Sequence, residues 1–495
     1  MTPRTTVCTT EQGAVRGSVS TSADGGVASF LGIPYAAPPF GPRRFLAPGP
    51  PEPWAGVRDA TAYGPTAPHA PYAPPFDALI PEDVIPGEDC LNLNIWTPAP
   101  EPGAGLPVMV WLHGGAFSNG SGSASAYDGS AFARGGVVCV TLNYRLGSDG
   151  FLHLPGVPDN RGLLDQVAAL RWIRANIASF GGDPDRVTVF GESAGAMSIG
   201  VLLATGMARG LFHRAILQSG ACHHFLRPPS AALITARLAA KLGIEATLEA
   251  YAAVPLTELL PAQAELRAEV SARPEPALWG EAALNLMPFE PVTAGLSLPG
   301  PDCGVDLLIG SNREEYRLFL VPTGLLDAIP DSALRATTTA YGLDPAKALP
   351  VYRATRPTAT PGELLSAVAT DWFYRIPAIR LAESVPGSHL YEFAWRSPQF
   401  DGHLGACHAL DLPFTFNRLH DPSHTPLLGP HPPQPLANAM HTAWLFFAKT
   451  GNPGWPAYDT TTRTTMVFTE DPTPENDPRS EERLLWEGRR QCCDR

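Results

Sequence analysis

Gly191-Glu192-Ser193-Ala194-Gly195 stands between a β-branched run, Arg186-Val187-Thr188-Val189-Phe190, and a run of helix formers over 196–205. The pattern is G-x-S-x-G in a strand–turn–helix setting. A strand handing over to a helix through a sharp turn lifts the Ser193 hydroxyl to the carboxyl edge of a sheet. Gly191 and Gly195 leave room for neighbouring backbone. The helix that begins there directs its first N–H groups at any negative charge that develops.

Outward from this stretch the alternation continues. The runs 108–112, 137–142 and 187–190 read as strands buried on both faces, and 215–217 and 306–309 extend the series more weakly. The stretch 163–180 has helical periodicity, with Val167, Leu170, Ile173 and Ile177 on one side. Strands alternating with helices predict an α/β fold with a mostly parallel sheet and helices on both its faces. The Ala/Leu-rich stretches 225–300 and 320–385 read as helical insertions that roof one end of that sheet. Proline-dense stretches at 34–53, 66–81 and 427–435 carry apolar and aromatic residues, as packed surface loops do. With no internal repeat and no low-complexity linker, 1–495 reads as a single domain.

Composition excludes several classes of function. Hydrophobic residues make up 44% of the 495, enough to offset the entropy of ordering, so disorder is not expected. The balance of 35 basic to 48 acidic residues, −13 overall, is wrong for binding nucleic acid or anionic lipid. No run of 18 apolar residues occurs, and no membrane span is expected. Met1-Thr2-Pro3-Arg4-Thr5-Thr6 has no apolar core behind it and does not read as a secretory signal. The eight cysteines (Cys8, Cys90, Cys139, Cys222, Cys303, Cys407, Cys492 and Cys493) lack CxxC spacing. They read as reduced thiols, buried or incidental, with Cys492-Cys493 on a polar tail, and a cytoplasmic setting is expected. Neither HExxH nor a phosphate-binding glycine loop occurs, so neither metal nor organic cofactor is expected.

A second loop complements the first. His113-Gly114-Gly115-Ala116-Phe117 follows the strand 108–112 and resembles the HGGG-type loops whose backbone N–H groups hold an oxyanion. Gly115, Ala116 and Ala194 are the candidate donors, and one such donor is worth about 3 kcal/mol. A serine hydroxyl also needs a base, and the base a carboxylate. Of thirteen histidines, His113 belongs to the loop, and His223-His224 have no acidic or glycine context. His408, in Gly405-Ala406-Cys407-His408-Ala409-Leu410-Asp411-Leu412-Pro413, and His403, five residues earlier, both remain candidates.

Several further blocks stand in order along the chain. They are Phe30-Leu31-Gly32-Ile33-Pro34-Tyr35-Ala36, Glu88-Asp89-Cys90-Leu91, Asn160-Arg161-Gly162-Leu163-Leu164-Asp165-Gln166, Gln218-Ser219-Gly220 and Phe447-Ala448-Lys449-Thr450-Gly451-Asn452-Pro453. Together with the elbow they make the chain resemble the type-B carboxylesterases, the α/β-hydrolase branch that also holds the cholinesterases. The resemblance implies the α/β-hydrolase fold and a small-molecule ester as substrate. It also implies a triad of Ser193, Glu315 and His408, with Glu314 as a solvent-facing neighbour of the acid. Glu192 and Ser219 match supporting positions beside the nucleophile and near the acid. Lipases, amidases, thioesterases and carbamate hydrolases share this machinery. Non-catalytic adhesion or scaffold relatives have lost a triad member, whereas all three positions are filled here. The roof segments are apolar without a charge cluster, so a small to medium ester is expected, and a monomer is compatible with the composition.

The chain departs from the family pattern at four places. Asn92 stands where Tyr or Thr is usual, which is expected to affect strand packing. Tyr316 replaces the Gly after the acid, so that loop must turn differently. Cys90 has no cysteine partner upstream before Cys8, and residues 66–89 hold no Trp of the kind that binds a quaternary ammonium in cholinesterases. With a histidine as base, ester turnover should fall below roughly pH 6 to 7, where an ordinary imidazole becomes protonated. A pH–rate profile checks this, and a rate flat down to about pH 4 would remove the histidine from the role.

Overall fold

The strand Leu106–Leu112 is apolar without alternation, and all of it beyond Leu106 is buried, as a strand covered on both faces must be. It belongs to the first of two compact units, which comprises Met1–Tyr72, Glu82–Ala215 and His224–Gly295. The second comprises Ala73–Pro81, Ile216–His223 and Leu296–Arg495, so neither is a continuous stretch of chain. The computed structural model describes residues 4–20, 26–80 and 82–489. Met1-Thr2-Pro3 and the pair Cys492-Cys493 lie outside them.

In the first unit the strands are β1 (Arg4–Thr10), β2 (Gly13–Ser20), β3 (Val27–Pro34), β4 (Val57–Asp59), β5 (Asn92–Thr97), β6 (Leu106–Leu112), β7 (Val138–Leu142) and β8 (Gly182–Glu192). Their order is β1-β2-β3-β5-β7-β6-β8, with β4 beside β2. Along that path the strands pair antiparallel as far as β7, β4 lies parallel to β2, and β6 runs parallel to both its neighbours. Val110 pairs with Val140 on one side and Val189 on the other. The strands at 4–34 escape a hydrophobicity reading because β1 and β2 are rich in Thr, Ser and Gly and largely exposed or half-buried.

The helix Arg161–Asn176 buries Leu163, Val167, Leu170 and Ile173, the stripe that a 3.6-residue period predicts. It also buries Asp165. The Arg145 guanidinium grips that carboxylate with Nε at 2.8 Å and NH2 at 2.7 Å, and the Arg145 backbone N–H adds a third bond at 3.0 Å. Arg161, fully buried, donates to the carbonyls of Ser148, Asp149, Leu152 and Pro158 and so gathers the loop before its own helix. The stretch 225–300 is helical as far as Asn285, chiefly Pro228–Leu242 and Leu256–Ala272, and irregular over 286–300, with no strand among the described residues.

The second unit carries most of β9 (Arg214–Gln218), together with β10 (Asp306–Asn312), β11 (His389–Phe393), β12 (Thr464–Phe468) and β13 (Thr473–Asn476), in that order. β10, β11 and β12 are parallel, and β13 returns antiparallel. Between β10 and β11 the chain is helical, ending in Pro361–Thr370, a π-helical turn Asp371–Arg375 and Ile376–Ser384. Burial alone would raise the Glu392 carboxyl, but Arg479, Arg313 and Arg375 outweigh it and hold it down at about 2.

Among the described residues no helix is long and apolar enough to cross a membrane. Cys8, Cys90, Cys139, Cys222 and Cys407 are buried free thiols, and Cys303 is a partly exposed one. Burial pushes the Cys8 thiol up to about 12 and those of Cys90, Cys139 and Cys407 higher still. Asp165→Ala would strand the Arg145 charge in the core. It should cost about 3–5 kcal/mol of unfolding free energy, read as a lower denaturant midpoint.

Candidate active site

The elbow is tighter than the sequence pattern indicates. β8 runs on through Glu192 and the next helix, Ala194–Thr205, starts after a single residue. That residue, Ser193, holds φ 53° and ψ −124°, a conformation disfavoured for any side-chain-bearing residue and kept only where the surroundings over-determine it. Here they do. The helix is buried from Ala194 through Leu202, and the Met197 N–H donates to the Ser193 carbonyl at 2.8 Å. A Cβ on Gly195 would lie 2.0 Å from the Leu112 carbonyl oxygen at the end of β6. One on Gly114 would lie 2.6 Å from Glu192 Oε2 and 3.1 Å from Ser193 Cβ. The structure therefore brings the loop after β6, Glu192 and Ser193 together, and glycine is required at both points of contact.

The loop that follows β6 is locked through its carbonyls. The His113 ring is fully buried, and burial lowers its pKa to about 4, so it is neutral. Its Nδ1 lies 2.8 Å from the Gly114 carbonyl, which can only accept, so Nδ1 carries the proton. Tyr144 stacks on that ring at 4.4 Å and donates its hydroxyl to the His113 carbonyl. The Gly115 carbonyl accepts two N–H groups, from Ser118 at 3.0 Å and Asn119 at 2.9 Å. In a trans peptide the C=O and the following N–H point opposite ways. Fixing the carbonyls of Gly114 and Gly115 thus turns the N–H groups of Gly115 and Ala116 to the other side. Neither N–H donates to another protein atom among the described residues. Ala116 at φ 52° and Phe117 at φ 57° carry the strain of this turn.

The acid and base candidates meet in the second unit. β10 ends at Asn312, whose N–H donates to Glu315 Oε1 at 2.7 Å. The other oxygen, Oε2, lies 2.7 Å from His408 Nδ1, and the His408 N–H donates to the Glu315 carbonyl at 3.1 Å. A carboxylate at Nδ1 keeps the proton there and leaves Nε2 with its lone pair. Tyr374, from the π-helical turn, covers the imidazole with its centroid at 4.8 Å, and Phe319 approaches to 5.5 Å. Asp411 accepts from Gln218 Nε2 at 2.8 Å and Asn312 Nδ2 at 3.2 Å. Burial, reinforced by the Glu315 charge, pushes the Asp411 carboxyl up to about 6. His403, the competing histidine, is exposed.

Glu314 departs from expectation. It is not solvent-facing: it accepts from the Ala406 N–H at 3.0 Å and pairs with Arg396 at 2.5 Å and Arg317 at 3.1 Å. These bonds tie the acid's loop to the loop carrying His408. Ser219 is fully buried with φ 54°, its N–H donating to the Gly310 carbonyl, and its hydroxyl has no partner among the described residues. No sequence signal distinguishes the ring contact of Tyr374 or the amide of Asn312, since neither sits in a recognisable local pattern.

The sequence profile of the Carboxylesterase family matches residues 4–486. The chain belongs to the carboxylesterase family. It is 42% identical to the para-nitrobenzyl esterase of Bacillus subtilis (strain 168), over 96% of this chain and 97% of that one. It is 36% identical to the phenmedipham hydrolase of Pseudarthrobacter oxydans, over 88% and 90%. A crystal structure of a Geobacillus stearothermophilus carboxylesterase superposes with a TM-score of 0.81 at 38% identity, covering 97% of this chain and all of that one. A solved PNB esterase also gives 0.81 at 38%, covering 97% and 99%. The fold is that of the α/β-hydrolases, and the carboxylesterase is a carboxylic-ester hydrolase.

Two departures from the family pattern have local reasons. Tyr316, in place of the usual Gly, keeps ordinary helical angles of φ −71° and ψ −8°, so the turn needs no glycine there. Asn92 does more than pack. Its amide donates to the carbonyls of Pro65 and Asp89 at 2.8 and 2.9 Å, clamping a proline-rich loop to the start of β5. Because Gly195 presses on the Leu112 carbonyl, Gly195→Ala should force the elbow open. Labelling of the carboxylesterase by a fluorophosphonate should slow about tenfold or more, with a melting point lowered by the overpacking.

Proposed function

We propose that this carboxylesterase hydrolyses small to medium carboxylic esters through an acyl-enzyme on Ser193, with His408 as base and Glu315 as its orienting acid. The observation that carries the reading is the 2.7 Å pairing of His408 Nδ1 with a fully buried Glu315, which favours the tautomer whose basic lone pair is on Nε2. Ser193, strained at the head of a buried helix, is the matching nucleophile.

In this reading His408 Nε2 takes the proton of the Ser193 hydroxyl as the oxygen attacks the acyl carbon. Glu315 stabilises the imidazolium without taking its proton. The carbonyl oxygen becomes an alkoxide held by the N–H groups of Gly115, Ala116 and Ala194, each worth about 3 kcal/mol. His408 then protonates the departing alcohol, and water repeats the cycle on the acyl-serine to release the acid. Every step moves only protons and an acyl group, and the residues named suffice for it. The name of the Bacillus relative makes para-nitrobenzyl esters of short acids a reasonable first substrate. The buried free thiols suit a reducing, cytoplasmic setting.

Ser193→Ala should abolish fluorophosphonate labelling and cut kcat on a chromogenic ester series by about a thousandfold or more, the fold remaining intact. Full turnover in that variant would overturn the assignment.

A further inference from the structure

Glu82 lies in the first unit, outside every motif considered so far, and its carboxylate is surrounded by donors. Oε1 accepts from the Gly120 N–H at 3.0 Å and Oε2 from the Tyr72 N–H at 3.0 Å. The Asn119 side-chain amide approaches both oxygens, at 3.2 and 3.4 Å, while also donating to the Ala70 carbonyl at 2.7 Å. His69 Nε2 stands 3.1 Å from Oε1, its Nδ1 engaged by the Ala67 carbonyl. Arg267 NH1 closes the cluster on Asn119 Oδ1 at 2.6 Å. Burial opposes charge on both Glu82 and His69. Their mutual attraction, with the backbone N–H donors, still holds the Glu82 carboxyl below its ordinary range and the His69 imidazole above its own.

The residues this carboxylate grips, Asn119 and Gly120, are those that set the preceding turn. The Asn119 N–H is one of the two that fix the Gly115 carbonyl. A Cβ on Gly120 would lie 2.6 Å from the Gly114 carbonyl oxygen and 2.7 Å from His113 Nδ1. Movement at 119–120 is therefore transmitted to both peptides whose N–H groups are the proposed oxyanion donors. We propose that Glu82 is a positioning residue of the oxyanion hole, its carboxylate holding the Asn119–Gly120 turn so that the Gly115 and Ala116 N–H groups stay aimed at the acyl oxygen. The inference rests on the assignment of those two donors and deepens it. It also explains how an acid is tolerated near a site that gathers negative charge. The Arg267 guanidinium, within coulombic reach of Glu82, offsets part of that charge.

The test compares Glu82→Ala and Glu82→Gln with the unaltered chain, on p-nitrophenyl acetate and against a trifluoromethyl ketone, which adds a serine to form an oxyanion. A misaimed donor weakens binding of the transition state and not of the ground state. Glu82→Ala should lower kcat about tenfold or more with KM within about threefold, and weaken the ketone in step with kcat. Glu82→Gln keeps an acceptor for the Gly120 N–H but loses the carboxylate's charge, so it should show a smaller parallel loss, about threefold or more. If Glu82→Ala does not fold, Glu82→Gln decides. A lowered melting point with unchanged kcat and ketone affinity would make Glu82 merely structural and overturn the proposal. Ester turnover retained by Ser193→Ala would instead break the reading beneath it.

Discussion

Leu112 and Gly191 are register partners near the ends of two parallel strands, β6 and β8. Because parallel strands finish at the same edge, the loops that leave them emerge side by side. One carries His113 to Gly120 and the other Ser193, and the contact of Gly114 with Glu192 and Ser193 follows from that pairing. The Leu112 carbonyl then acts as a stop against which Gly195, and with it the first turn of the following helix, is pressed. A side chain at that contact would separate Ser193 from the loop after β6, so strain at Ser193 and glycine at 195 are two results of one constraint.

Buried charge is the second theme. Arg145 with Asp165, Glu392 among three arginines, and Glu82 with His69 are each largely removed from water, and each ties separate stretches of the chain together. Such pairs add little to net stability against an apolar core of the same volume. Their effect is specificity: a loop that must satisfy a buried carboxylate has few alternative conformations. The same logic governs Arg161, whose four carbonyl partners leave the loop 148–158 little freedom.

Much of this was legible in the residues. The central strands announced themselves because a strand covered on both faces loses its alternation, as in 108–112, and the elbow because its glycines flank a serine between a strand and a helix. Helices at 225–300 and 320–385 followed from composition. The N-terminal strands did not, since β1 and β2 expose much of their surface and spend Thr and Ser where apolar residues would have signalled burial. From residue chemistry alone His408 stood ahead of His403 without excluding it; a resemblance separated them, and exposure of one against burial of the other gives the physical difference. Glu314 read as a surface acid because adjacent carboxylates look alike in a sequence, and only three-dimensional neighbours reveal that one orients an imidazole while the other ties two loops. Glu82, in a proline-rich loop, carried no local signal, because its partners lie up to 38 residues away.

Four of the buried cysteines, Cys8, Cys90, Cys139 and Cys407, share a chemical corollary. A sulfhydryl whose ionisation is pushed to about 12 or beyond, as for Cys8, presents almost no thiolate at neutral pH. Alkylating agents, disulfide exchange and soft metal ions all act through the thiolate, so these side chains are inert filler as long as the core is closed. A sudden gain of reactivity at these buried sulfurs would be a sensitive report that the core had opened.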